Sequence, residues 1–181
     1  MKSICVYCGS REGRNPAHRA AADALGRGLA RAGIRMVYGA GDLGLMGIAA
    51  RAAMAEGGKV TGFIPRHLFA LEVGKRDLDH LVITETMHER KTLMLGNADA
   101  VVALPGGLGT LDELIEVLTW SHLGLHKKPM ALVNLEGYWD PLLGLFARMV
   151  EEGFAEHATV ARLMVVPDPE TAINRLCDRI G

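Results

Sequence analysis

"DAVVALPGGLGTLDEL", Asp99 to Leu114, is the stretch whose reading decides the fold. Its first seven residues are continuously apolar after the opening aspartate, without alternation, as in a strand buried on both faces. The strand runs into Gly106, Gly107 and Gly109, and from Thr110 the pattern turns helical, continuing to Gly124. A buried strand that passes through glycines into a helix is half of a βαβ unit, the connection parallel strands require.

Working outward, the same unit recurs. Strands are expected at Ser3–Cys8, Ile34–Gly39, Lys59–Pro65, Leu81–Glu85, Lys128–Glu136 and Leu163–Pro167. Helices are expected over Pro16–Gly33, Ile48–Gly57, Met87–Ala98, Tyr138–Gly153 and 168–180, with Arg66–His80 as a less regular surface loop or flap. Strict alternation predicts an α/β protein: a single-domain, doubly wound parallel sheet, Rossmann-like, with helices on both faces and residues 1–181 in one domain. Ligands in such sheets bind beyond the carboxyl ends of the strands. The turns to inspect are therefore Gly9-Ser10, Gly39–Gly47 (with Gly41 within it), Pro65–Gly74, Glu85–Lys91 (with Met87) and Gly106–Glu113.

Hydrophobic residues make up 49% of the 181 and charged residues 23%, which fits a soluble globular protein and not a disordered one. A net charge of −1 provides no global field for nucleic acid or an anionic membrane, so recognition has to be local. No apolar run suits a signal peptide or a bilayer span, and a cytoplasmic location is expected. Cys5 and Cys8 form C-x-x-C on a strand with no second pair, and read as buried structural thiols. His122 and His126 lie one helical turn apart with no third ligand, and read as surface or interface residues; no metal is expected. Trp120 and Trp139 read as core or interface.

Gly106, Gly107 and Gly109 let backbone N–H groups approach an anion, and the helix that follows adds its positive end. The motif is not a Walker A loop, because no Gly-Lys-Ser/Thr follows. "GAGDLG" at Gly39–Gly44 matches a dinucleotide fingerprint only weakly. Thr110-x-x-Glu113 has the spacing of a capping box, and on spacing alone the cap is the favoured reading of Glu113. "MHERK", Met87 to Lys91, puts Arg90 and Lys91 near a helix start, where cations are unfavourable unless an anion binds them.

Taken jointly, "MHERK" and "LPGGLGTLDEL", with "CVYCGS" at Cys5, "GLMG" at Gly44, "TWSHLGLHKKP" at Thr119 and "GYWDPLL" at Gly137, resemble the LOG family, the cytokinin riboside 5′-monophosphate phosphoribohydrolases long mislabelled as lysine decarboxylases. The resemblance spans nearly the whole chain. It implies hydrolysis of the N-glycosidic bond of a nucleoside 5′-monophosphate, AMP or an N6-substituted AMP, to free base and ribose 5-phosphate, with no cofactor and as a homodimer. It places catalysis on Arg90 and Glu113 and substrate contacts on Glu72, Lys91, Thr110, the glycine turn, Gly9, Ser10, Gly41 and Met87. The cradle with Lys91 would hold the phosphate, and Arg90 would keep Glu113 ionised. Glu113 could bind ribose hydroxyls, stabilise the developing cation or orient water. Departures from the family pattern are Ala40, which adds a methyl near the nucleotide, Arg11 in place of a second serine, and His122 where glutamine is common. The alternative on the same scaffold is a carrier of a nucleotide or of molybdenum cofactor, which has no need of the Arg90–Glu113 pair.

Overall fold

A computed structural model describes residues 1–69 and 78–181. The strands are β1 (Ser3–Tyr7), β2 (Arg35–Tyr38), β3 (Val60–Pro65), β4 (His80–Thr84), β5 (Ala100–Ala103), β6 (Met130–Val133) and β7 (Leu163–Val166). Between them run α1 (Pro16–Arg31), α2 (Gly44–Ala55), α3 (Arg66–Phe69), α4 (Met87–Gly96), α5 (Leu108–His122), α6 (Asp140–Glu151), α7 (His157–Val160) and, last, α8 (Pro169–Ile180). The strands form one parallel sheet in the order β4-β3-β2-β1-β5-β6-β7.

Strand alternation sorts the core into two layers. In β1, Ile4 and Val6 point to a cluster with Leu25 and Leu29 of α1, Ile48 of α2 and Leu176 of α8. Cys5 and Tyr7 point the other way, to a cluster with Met94 of α4, Leu114 and Val117 of α5 and Phe146 of α6. Helices therefore cover both faces, and the central strands β1, β5 and β6 read as continuous apolar runs because neither face meets water, whereas the edge strand β4 is partly exposed.

The sheet order reverses between β1 and β5. Their register pairs Tyr7 with Ala103, so the chain leaves both strands side by side at Cys8 and Leu104. Leu104 N–H donates to the Tyr7 carbonyl at 2.9 Å and Gly9 N–H to the Pro105 carbonyl at 3.1 Å, which holds the two outgoing loops together. This is the topological switch point where an open α/β sheet offers its crevice.

Local signals explain most boundaries. Asn15 caps α1 by accepting from Ala17 N–H at 2.9 Å, ahead of Pro16; Asp168 caps α8 by accepting from Thr171 N–H at 2.8 Å, ahead of Pro169. β6 ends earlier than its apolar run suggests. Asn134 accepts from Trp139 N–H, and Glu136 and Gly137 take φ of 50° and 77°, so the chain turns there. The short helices α3 and α7 lie in stretches without a helical pattern long enough to read.

Candidate active site

α5 begins at Leu108, with Gly107 as its N-cap and no side-chain cap. The N–H groups of Leu108, Gly109 and Thr110 thus have no intrahelical acceptor, and the positive end of the helix lies at the glycine turn. A methyl on Gly106 would collide with Thr110, which is buried beneath the turn. Gly106 has to be glycine for α5 to start this close to the β5 exit.

Thr110 is therefore inside the helix and caps nothing, so the capping-box reading of Thr110 and Glu113 is corrected. The same pattern operates at α4 instead. Thr86 accepts from Glu89 N–H at 3.1 Å, and the Glu89 carboxylate accepts from Glu85 N–H at 2.7 Å. Glu113, one turn into α5, is half-buried and lines a cavity of about 220 Å³ with Arg90, Met87, Ser10 and the turn residues Gly107 to Thr110.

Burial pushes the Glu113 carboxyl up to about 7. Arg90 pulls it down, Asp112 pushes it up, Lys91 pulls it down and Glu116 pushes it up. The expectation that Arg90 keeps Glu113 fully ionised is thus corrected: loss of solvation outweighs the guanidinium.

Arg90 is buried, 7% exposed. Its Nη2 donates to the Gly39 carbonyl at 3.0 Å, its Nη1 lies 3.7 Å from Met87 Sδ, and its Nε has no partner among the described residues. A buried guanidinium donor without a partner beside a cavity is a group that a ligand oxygen would satisfy. Gly39 makes room for it, since a methyl there would overlap the guanidinium.

Lys91 faces elsewhere. Its ammonium, also 7% exposed as a residue, is ion-paired to Asp112 at 2.9 Å and Glu116 at 3.1 Å, both on α5. Burial lowers its pKa, but the two carboxylates more than offset this and the net shift is upward. This accounts for the carboxylates beside the glycine turn: Asp112, at the cavity wall, is answered by Lys91, and Glu113 faces the same cavity beside Arg90.

These features stand beside clear likenesses to known proteins. The family model described as "Possible lysine decarboxylase" matches residues 46–176. The cytokinin riboside 5′-monophosphate phosphoribohydrolase of Rhodococcoides fascians is 46% identical over 95% of this chain and 87% of its own. The LOG protein of the same designation from Oryza sativa subsp. japonica is 45% identical over 93% of this chain and 69% of its own. The chain belongs to the LOG family. A molybdenum cofactor binding protein from Rippkaea orientalis superposes with a TM-score of 0.76 at 22% identity, covering 100% of this chain and 99% of that one. The Moco carrier protein of Chlamydomonas reinhardtii gives 0.72 at 21%, covering 98% of each. At such identities these two show the shared fold.

Among the residues expected from the LOG motifs, Arg90, Glu113, Met87, Ser10, Gly107, Gly109 and Thr110 come together around the one cavity. Gly9 and Gly106 lie behind the turn, facing a neighbouring cleft. Gly41 is one layer back: a methyl there would press on Met46, and Met46 lines the cavity. Glu72 lies outside the described residues. Ala40 does not extend towards the cavity. It is fully buried at φ 58°, with its methyl facing Gly62, where another methyl would sit 2.7 Å away. The last glycine of "GAGDLG", Gly44, takes φ 62° and packs against the Ser10–Arg11 backbone, so its role is close approach between loops.

Four wall residues were not among the expected site residues: Leu108 and Asp112 on α5 and, from elsewhere in the chain, Cys8 and Met46. Cys8 lines the cavity as a thiol that burial pushes well above its ordinary range, and Met46 comes from α2. A strand-end cysteine reads as core, and only the sheet register reveals that it opens on the crevice. His126 is buried and its Nε2 lies 2.8 Å from the Val117 carbonyl, so it is a bonded core residue and not a surface one; His122 meets Thr159 at 2.8 Å. Among the described residues no group of three His, Cys, Asp or Glu is placed to hold a metal ion.

Proposed function

We propose that the protein hydrolyses the N-glycosidic bond of AMP or an N6-substituted AMP to free base and ribose 5-phosphate. The observation that carries this is the meeting of Glu113 and Arg90 in one cavity with the uncapped start of α5. The 5′-phosphate would take the amides of Leu108 to Thr110 and the exposed Ser10 hydroxyl. The ribose would then lie against Glu113. As the bond to the base breaks, positive charge builds on the ribose, and the carboxylate stabilises it while water adds at the anomeric carbon and a proton passes to the departing base. Arg90, held by Gly39, orients the sugar end.

The relatives named as phosphoribohydrolases support the reaction class. A decarboxylase working through a lysine Schiff base fits poorly, because Lys91, the buried lysine beside the site, is paired to two carboxylates and held protonated. A carrier of molybdenum cofactor gives no role to a carboxyl kept half-buried at an energetic cost. The reading includes a cytoplasmic homodimer that acts on a small-molecule nucleotide, needs no cofactor and binds no nucleic acid. Among the described residues no helix is long and apolar enough to cross a membrane.

The deciding experiment is incubation with a panel of nucleoside monophosphates and their nucleosides, with released base measured by chromatography. AMP or an N6-modified AMP is expected to be cleaved and adenosine to be a poor substrate. Equal turnover of AMP and adenosine would remove the phosphate from the mechanism.

A further inference from the structure

Behind the glycine turn lies a second, larger cleft of about 570 Å³. It shares Ser10, Gly107 and Leu108 with the catalytic cavity, so one wall serves both. Its far side is the loop between β1 and α1, which brings Arg11 and Arg14 together with His18 of α1. The carboxylate in this lining, Glu12, is already paired to Arg19 at 2.9 Å. Neither Arg11 nor Arg14 has an ion-pair partner among the described residues. In a chain of net charge −1, two unpaired arginines converging on one cleft are a local excess and not a general basic surface.

The loop that carries them is built. Gly13 sits at φ 75°, and a methyl there would meet His18 Nδ1 at 2.9 Å. Asn15 at its end donates to Glu136 at 2.6 Å. Across the cleft, Tyr138 packs edge-on against His18 with ring centres 5.3 Å apart. The Tyr138 hydroxyl donates to the Gly106 carbonyl at 2.6 Å, which occupies an acceptor that would otherwise repel an anion.

We propose that this cleft is a second anion subsite, which takes the terminal phosphates of nucleoside di- and triphosphates whose first phosphate rests on the α5 amides, so that these nucleotides compete with the monophosphate. The inference rests on the nucleotide site proposed above. A phosphate on those amides lies at the shared wall, and a second phosphate extends from it into the cleft. Arginine forks suit phosphate oxygens, and their exposure makes the interaction sensitive to salt.

The test is calorimetric titration of AMP, ADP and ATP in metal-free buffer at low, fixed salt, with wild type and the double variant Arg11→Ser/Arg14→Ser. Both positions are exposed, and melting temperature checks that the fold is kept. ADP is expected to bind wild type at least as tightly as AMP and to inhibit base release competitively. The double change is expected to weaken ADP by about tenfold and AMP by less than about threefold. ADP binding more weakly than AMP in wild type, or an equal loss for both nucleotides in the variant, overturns the subsite and leaves the monophosphate reading standing. A wild type that neither binds AMP nor releases base brings down the function itself, and the subsite with it.

Discussion

At Glu113 the needs of the fold and of the proposed reaction oppose each other. Its carboxyl ionises near 4.5 in an ordinary setting and near 7 in the folded protein, chiefly through burial, against the pull of Arg90. A carboxyl with a raised folded pKa binds more protons folded than unfolded, so stability declines as pH rises from about 4.5 through about 7, by about 3 kcal/mol if the whole shift is expressed. Glu113→Gln removes that cost. The variant is expected to unfold at higher urea than wild type at pH 8, with the advantage shrinking towards pH 5. Activity moves the other way: turnover falls by about a hundredfold or more, and wild-type kcat/KM climbs with pH and levels off above about 7. Near-normal base release from the glutamine variant, or a flat profile between pH 5.5 and 8, would take the carboxylate out of the chemistry. Lys91 gives a second test. Lys91→Met leaves Asp112 and Glu116 uncompensated beside Glu113. The expected results are a loss of about 1–3 kcal/mol, moderated because Asp112 is largely exposed, and an acid limb displaced to higher pH. AMP affinity should change by less than about threefold. A large loss of affinity with an unmoved limb would return Lys91 to the phosphate.

At the scale of elements, the α1–α2 contact shows how much a helix surface can depend on one missing methyl. Gly26 lies mid-helix in α1, where alanine ordinarily favours the helix by about 1 kcal/mol. Here a methyl would run into the Ala49 backbone of α2, and Ala52 is close behind. Gly26→Ala is therefore expected to destabilise by about 1–3 kcal/mol despite its better propensity, read as a lower urea midpoint; an unchanged or higher midpoint would mean that the two helices slide apart freely. The same logic separates what the sequence discloses from what it hides. Apolar runs disclose the central strands β1, β5 and β6, because burial on both faces leaves no alternation to confuse, and Pro16 marks the start of α1. The start of α5 is hidden. Serine or threonine three residues before glutamate reads equally as a cap or as helix interior, and which residue of a glycine run leaves the extended state is decided by Gly106 packing over Thr110. The pairing of Lys91 with Asp112 crosses from α4 to α5, so no spacing rule reaches it. Arg90 and Glu113 were legible from their motifs, but the raised carboxyl pKa depends on the depth of a cavity that only the assembled sheet defines.

The whole molecule places the proposed site at one end of α5 and an apolar groove along the same helix. Ile115 of α5, Phe146 and Met149 of α6, Phe154 beyond it and Val160 of α7 border an opening of about 440 Å³. Phe154 is 88% exposed, and Leu123 and Leu125, just past α5, are also exposed. Exposed apolar side chains of this kind favour burial against another molecule, and a second copy of the chain can bury them twice over by twofold symmetry. Phe154→Asp would put a charge at the centre of such an interface. Wild type is expected to sediment as a dimer at micromolar concentration and the variant as a monomer with a similar melting profile measured at low concentration. The groove and the cavity lie on different faces of α5, since Ile115 and Glu113 are two positions apart on the helix, so the helix itself is what would carry an effect from the interface to the site. The monomeric variant is expected to show reduced kcat, while changes confined to the exposed loop before α1 leave association untouched. Wild type that sediments as a monomer would remove the dimer. A monomeric Phe154→Asp protein with unchanged kcat would show instead that one protomer holds a complete site and that the groove contributes assembly alone.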